Sequence, residues 1–428
     1  MATVALPSRA ASCFVQVPRY GLYNINILPR RTRRVCVTTT RRQYNGGRRE
    51  FSSGSPLESR PKISFRLAVS SSGKGRRFSP DRNFYNFHPQ VHDALGIQSP
   101  NYYDRKANRP DSGEDSFFIS KIGYDNEAFA FGVADGVGGW SESGIDPADF
   151  SHSFCGHMAE TALNWESSPE SLRAMTLMRL GYEKTLLDKA VFAGSSTACI
   201  GVARKDGSVQ LANLGDSGSL LFRLAAVHHY SVPQTHDFNT PYQLAAVPEL
   251  IRRQSYLFGG KQFEDMPQDA AVTNCSLQHG DVLVLATDGV FDNLNNQEVL
   301  KLVTARMMAT GAWTGTSDMG ISASDNLEAL TKPGGLKFGN NRIKPKKAIA
   351  ASEEADPQGK GHTLQALLAV TIAGEAKIAS MDFRRDGPFA KEYQRYRPWD
   401  HYRGGKPDDI TVVALVAVEE GRSPASNP

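Results

Sequence analysis

At 428 residues with 40% hydrophobic content the chain can bury a large core, and its length suits one big domain or two ordinary ones. The formal net charge of +4 sits in the arginine-rich start, so the remainder is mildly acidic and no basic nucleic-acid face is implied for the body. No apolar run approaches the length of a membrane span, and the five cysteines show no C-x-x-C spacing, which excludes a zinc ribbon and a disulfide framework.

From Met1 to Arg49 there is no Asp, Glu or Lys, against ten arginines, Arg9 to Arg49. That composition predicts a mitochondrial transit peptide over residues 1–51, with cleavage near Phe51 in Arg49-Glu50-Phe51-Ser52-Ser53. The expected destination is the matrix; the alternative is a disordered basic tail on a cytoplasmic protein. Cys155, Cys199 and Cys275, the three thiols beyond this segment, suit a reducing compartment. The Ser/Gly/Arg stretch Ser70 to Arg77 predicts a linker over 52–83, with one folded body over 84–420 and a disordered tail over 421–428.

Within that body, apolar spacing predicts amphipathic helices over Pro147–Trp165 and Ser171–Leu187. The period then changes to short strand-like runs, Thr197–Ala203, Ser208–Leu214 and Ser219–Leu224, with a hairpin signal at Asp206-Gly207. Another strand follows the turn at His279-Gly280 and ends at Ala286, and Asn295–Met307 reads as a helix. Residues 309–361, rich in Gly, Ser, Asn, Lys and Pro, predict a mobile surface insertion. Leu364–Ser380 reads as a helix, Phe383–Lys406 as an aromatic and basic loop, and Ile410–Val418 as the last strand. Hairpin strands interleaved with helix pairs predict an α+β layered sandwich.

The chemistry lies in aspartates at the ends of apolar runs. Asp135 ends the apolar run in FGVADGVGGW, Asp288 and Asp292 frame TDGVFD, Asp216 sits in ANLGDSGSLLF, Glu114 and Asp115 precede a strand, and Asp408 and Asp409 precede the last one. A buried carboxylate is costly unless something positive meets it. Each Asp-Gly pair alone reads equally well as a turn, but several strands delivering carboxylates to one edge suggest hard divalent cations held by oxygen. Two such cations side by side suit hydrolysis of a phosphate ester.

The ordered series GEDSFF, FGVADGVGGW, GSSTACIGV, ANLGDSGSLL, GDVLVLATDGVFDNL and KPDDITVV resembles the type 2C metal-dependent serine/threonine protein phosphatases, over about Asp104 to Val418. With THDFNTPYQL at 235–244, it is similar to a mitochondrial subgroup that includes a phosphatase linked to ubiquinone biosynthesis. The resemblance implies a four-layer αββα sandwich, two central antiparallel sheets, and a binuclear site of manganese or magnesium at one end. It implies that Asp135 bridges both ions, that Glu114 and the Gly136 carbonyl serve one, and that Asp288 and Asp408 serve the other, with Asp135 and Asp288 central to catalysis. Asp216 and Asp292 match positions for a third, weaker metal. Hydroxide held by the metals would then attack phosphoserine or phosphothreonine directly, and phosphoproteins would be the partners.

Three positions depart from that pattern. Asp409 stands where asparagine is common, which adds charge. Pro110 stands where many members carry a phosphate-gripping arginine; the adjacent Arg109 either substitutes for it or is a surface arginine. Val137 stands where many carry a histidine as general acid, leaving the leaving-group proton to water or another donor.

Other residues keep two readings. His228, His229 and His236 lack the companions of a zinc site. Trp140 reads as an anchor before a ligand stacker, and Arg384, Arg385, Arg395, Arg397 and Arg403, interleaved with aromatics, either grip an acidic partner or solvate a packed loop. The rival functions are a pseudophosphatase, which would be expected to lack the core carboxylates, and an aspartyl-nucleophile enzyme, which needs an Asp-x-Asp pair that ATDGVF does not supply.

Overall fold

Period-2 alternation between two buried environments builds the centre of the molecule. In the strand Asp125–Asp135, Phe129, Phe131 and Val133 enter one apolar cluster while Ala128, Ala130 and Ala134 enter another. In Ile410–Glu419, Val413, Leu415 and Ala417 face the first of these clusters, and Val412, Ala414, Val416 and Val418 face a third. Strands buried on both faces belong in the middle of a layered fold, and each buried Phe or Leu contributes on the order of 2 kcal/mol.

The computed structural model describes residues 61–88, 101–258, 263–336 and 363–422. All of them lie in one unit, Ser59–Pro428. A six-stranded sheet runs in the spatial order Phe84–Asn86, Ile63–Ser72, Ile410–Glu419, Val282–Ala286, Gly218–Arg223, Ala226–Tyr230. A five-stranded sheet runs Ala271–Ser276, Ser208–Leu214, Ala198–Ala203, Asp125–Asp135, Asp115–Ile122. Every pairing within both is antiparallel.

Helices cover the outer faces. Pro147–Leu163, started by the Asp146 side chain on the Ala148 amide and by Pro147 in its first turn, buries Phe150, Phe154 and Met158 against the five-stranded sheet beside Ala174–Leu187. Asn296–Ala309, opened by a reciprocal Asn295 and Glu298 cap, and Leu364–Ser380 cover the six-stranded sheet. The layers are therefore helix, sheet, sheet, helix, as the resemblance implies.

Three expectations are corrected. Residues 63–72 lie in the expected linker but form a ten-residue strand paired with Ile410–Glu419 along its whole length. Its Ser and Arg residues alternate with Ile63, Phe65, Leu67 and Val69, which fill the core between the sheets. The start of the expected insertion is also folded: Trp313–Gly315 pairs with Ile321–Ala323, and Trp313 is fully buried with its indole N–H on the Gly280 carbonyl at 2.9 Å. The expected loop 383–406 contains a helix, Pro388–Tyr396. The transit segment with its Phe51 cleavage point, residues 337–361 of the insertion, and residues 423–428 of the tail lie outside the described residues. No helix among the described residues is long and apolar enough to cross a membrane.

Candidate metal centre

Strand register brings the acids to one end of both sheets. Asp135 ends its strand opposite Asp115. Ala286, two residues before Asp288, pairs with Val412 on one side and Gly218 on the other. Asp408 just precedes the Ile410–Glu419 strand, and Asp216 sits in the turn that carries the chain from one sheet to the other. Thr287 ties the sheets together: its hydroxyl donates to Asp115 Oδ2 at 2.8 Å and accepts from the Thr411 amide at 3.1 Å.

Lys406 reaches into this cluster. Its Nζ lies 2.7 Å from Asp288 Oδ2, 2.6 Å from Asp292 Oδ2 and 3.1 Å from Asp408 Oδ2, with the Phe389 ring 5.0 Å away. The Asn293 side chain clamps its backbone, accepting from the Lys406 amide and donating to the Lys406 carbonyl, each at 2.9 Å.

Glu114 is fixed through its backbone. Its amide donates to Asp409 Oδ2 at 2.7 Å, and its carbonyl accepts from the Gly136 amide at 3.1 Å and the Ser151 hydroxyl at 2.6 Å. Gly136 is required for this approach, because a Cβ there would stand 2.8 Å from the Glu114 carbonyl oxygen and 2.9 Å from that of Pro147. The other Asp409 oxygen accepts from the Lys74 amide, so Asp409 spends both oxygens on backbone donors. Asparagine could satisfy one of those donors and would turn an N–H₂ on the other.

Electrostatics follow from burial. Burial, then the facing Asp288, holds the Asp135 carboxyl well above the usual range. Asp288 goes the other way: burial would raise it, but the Lys406 charge and hydrogen bonds from Lys406 and Asp135 bring it down. Burial, then Asp288, pushes Asp216 up to about 7. Burial raises Asp292 and Asp408, and Lys406, despite its own burial, is held well above the ordinary lysine value by Asp288, Asp292 and Asp408.

This oxygen-only donor set suits a hard divalent cation. Asp216 Oδ1 is buried without a hydrogen-bond partner, and Asp135 faces mainly other acids, so a further positive charge fits there. Among the described residues no group of three or more His, Cys, Asp or Glu side chains closes into a metal-holding cluster. Three of the carboxylates are instead gathered on an ammonium.

Arg109 stands apart from this centre in its bonding: it donates to Asp149 at 2.8 Å and lies 3.7 Å from Asp146. Lys74, at the rim and largely exposed, has its ammonium 3.8 Å from Asp408. Trp140 donates to the Ser195 hydroxyl at 2.7 Å as an anchor. His236 pairs with Asp265 at 2.9 Å and stacks on Tyr242 and Phe263. In the aromatic segment, Phe238 packs on Phe389, Tyr393 and Tyr396, while Arg385, Arg395 and Arg403 pair with Glu298, Glu392 and Asp386. A cavity of about 770 Å³ beside Asp216 is lined by Tyr230, Pro233, Phe291, Leu294 and Pro388. Sequence reasoning missed Lys406, Asn293 and Thr287, and it misjudged how Asp409 acts; the lone lysine in GGKPDD is the one available signal for the first.

Residues 107–329 match the family described as Protein phosphatase 2C. The chain is 39% identical over 308 residues to the protein phosphatase PTC7 homolog fig of Drosophila melanogaster, covering 72% of this chain and 77% of that protein. It is 37% identical over 332 residues to the mitochondrial protein phosphatase 2C homolog 7 of Saccharomyces cerevisiae, covering 77% of this chain and 80% of that one. Among solved structures, the photosystem II phosphatase PBCP aligns with a TM-score of 0.48 at 24% identity, covering 73% of this chain and 94% of that one.

Proposed function

Because the chain belongs to the type 2C family of protein serine/threonine phosphatases, we propose that its carboxylate end binds two divalent cations, manganese or magnesium, and hydrolyses phosphoserine and phosphothreonine in mitochondrial proteins. The gathering of Asp288, Asp292 and Asp408 on one ammonium, with Asp135 and Asp216 facing the same acids, carries this reading, because that much half-buried negative charge calls for added cations. Asp135 would bridge the two ions, Glu114 and the Gly136 carbonyl would serve one, and Asp288 and Asp408 the other. When bound, the cations acidify water and neutralise phosphoryl oxygens.

The chain's own residues do the rest. Asp409 and Ser151 hold the Glu114 backbone in place. Lys74 is better placed to meet a substrate phosphate than Arg109, whose guanidinium is committed to Asp149. Val137 offers no proton, so the leaving oxygen takes its proton from water. The cavity beside Asp216 gives room for side chains that flank the phosphoresidue.

Hydrolysis of a phosphothreonine peptide by the full chain should stop with a chelator and return with manganese or magnesium. Activity indifferent to the chelator would overturn the metal assignment. The location rests on the arginine-rich start and on the yeast relative, which is named as a mitochondrial protein, and the subgroup resemblance adds support of ubiquinone biosynthesis as the expected context. A reporter fused to residues 1–53 should enter mitochondria; a cytosolic reporter would remove the location.

A further inference from the structure

Lys406 is not a surface lysine that happens to touch an acid. It is 17% exposed, and its backbone is bonded in both directions by the buried side chain of Asn293. Asn293 in turn donates to the Gly289 carbonyl at 2.9 Å, which fixes it to the turn that presents Asp288. The Phe389 ring borders the ammonium. An ammonium delivered this way is pre-positioned and need not be recruited from solvent.

Its three contacts come from two places in the chain, the turn at 288–292 and Asp408, and each uses one oxygen, Oδ2, of Asp288, Asp292 and Asp408. Asp292 is the informative partner. Together with Asp216 it occupies the positions matched to a third, weaker metal, yet its carboxylate is already met by Lys406 at 2.6 Å. A divalent ion arriving there would have to displace a tethered cation that pays little entropy to stay.

We propose that the Lys406 ammonium is a built-in third cation of this centre, standing between Asp292 and the Asp288 and Asp408 pair where a further divalent ion would otherwise sit. This rests on the two-metal reading above and goes beyond it. The first two ions still have Asp135, Glu114, the Gly136 carbonyl and the remaining oxygens of Asp288 and Asp408. The third place is filled by the chain itself.

Ion counting tests this directly. The full-length protein, stripped of metal and dialysed to equilibrium against rising manganese, should take up about two ions per chain. Lys406→Met should take up about three, because the vacated carboxylates accept a divalent ion. Lys406→Arg, which keeps the charge, should stay at the wild-type count, and Lys406→Met combined with Asp292→Asn should return to it. Asp292→Asn alone should leave the wild-type count unchanged, and this variant keeps the test decisive if Lys406→Met does not fold without metal. Uptake of a third ion by the wild type, loss of an ion in Asp292→Asn, or equal counts in wild type and Lys406→Met would overturn the proposal. A wild type that binds no manganese would overturn the two-metal reading and this inference with it.

Discussion

Asp135→Asn should cut kcat/KM for a phosphothreonine peptide by about a thousandfold, ~4 kcal/mol of transition-state stabilisation, while raising the melting temperature of the metal-free protein by a few degrees. The two effects have one cause. Asp135 is half-buried, faces Asp288, and is held well above the ordinary carboxyl range, so in the absence of cations its charge opposes folding. The substitution removes that charge with little change in volume, and the new amide can donate to Asp288 as the protonated acid does.

The stability effect depends on pH. Between about 4, the unfolded value, and the raised folded value, the folded chain keeps a proton that the unfolded chain releases. Wild-type stability therefore falls as pH rises through that window, and Asp135→Asn should flatten the slope. Asp288→Asn provides the contrast. It should also abolish hydrolysis, but Asp288 is ionised against Lys406 at 2.7 Å, so removing its charge takes away one of the lysine's three carboxylates and brings no gain in metal-free stability. Near-normal activity in either variant would sink the site assignment. A lower metal-free melting temperature in Asp135→Asn would sink the electrostatic account.

The strands that carry Asp135 and Asp288 were legible because they alternate large and small apolar residues, as FAFGVAD does, and such runs have few interpretations. Residues 63–72 were not, because Ser64, Arg66 and Ser70 interrupt the apolar positions of ISFRLAVSSS and its serine-rich end runs into the Ser/Gly/Arg stretch. Trp313 was hidden in the same way among Gly, Thr and Ser, although it is the largest fully buried side chain. The acids could be matched by motif, since each is set by its own local turn. Lys406 could not, because its partners Asp288 and Asp292 lie 118 and 114 residues away and nothing local announces them. Asp409 shows a third kind of limit. Its type was noted, but that it holds the Glu114 and Lys74 amides depends on where two loops meet.

Gly289→Ala should be strongly destabilising, at roughly 3 kcal/mol or more, with loss of activity in whatever folds. Beside Asp288, glycine reads in sequence as turn chemistry, yet the structure gives it a different task. A Cβ at Gly289 would stand 1.9 Å from the Asp409 carbonyl oxygen and 3.0 Å from its carbon, both backbone atoms. That backbone cannot step aside, because Ile410 is paired with Ser72 and the Thr411 carbonyl accepts from the Thr287 amide at 3.2 Å. Displacing Asp409 would also release the Glu114 amide, so the methyl group would damage the sheet ends and the candidate ligand together. Gly139 supplies the control, since nothing lies within 4 Å of its would-be Cβ, and Gly139→Ala should stay within about 0.5 kcal/mol of wild type. Urea unfolding of both variants beside peptide hydrolysis decides it. Equal stability of the two would show that the Asp408 segment yields more readily than its strand pairing implies, and the Asp-Gly pair would then be a turn and nothing more.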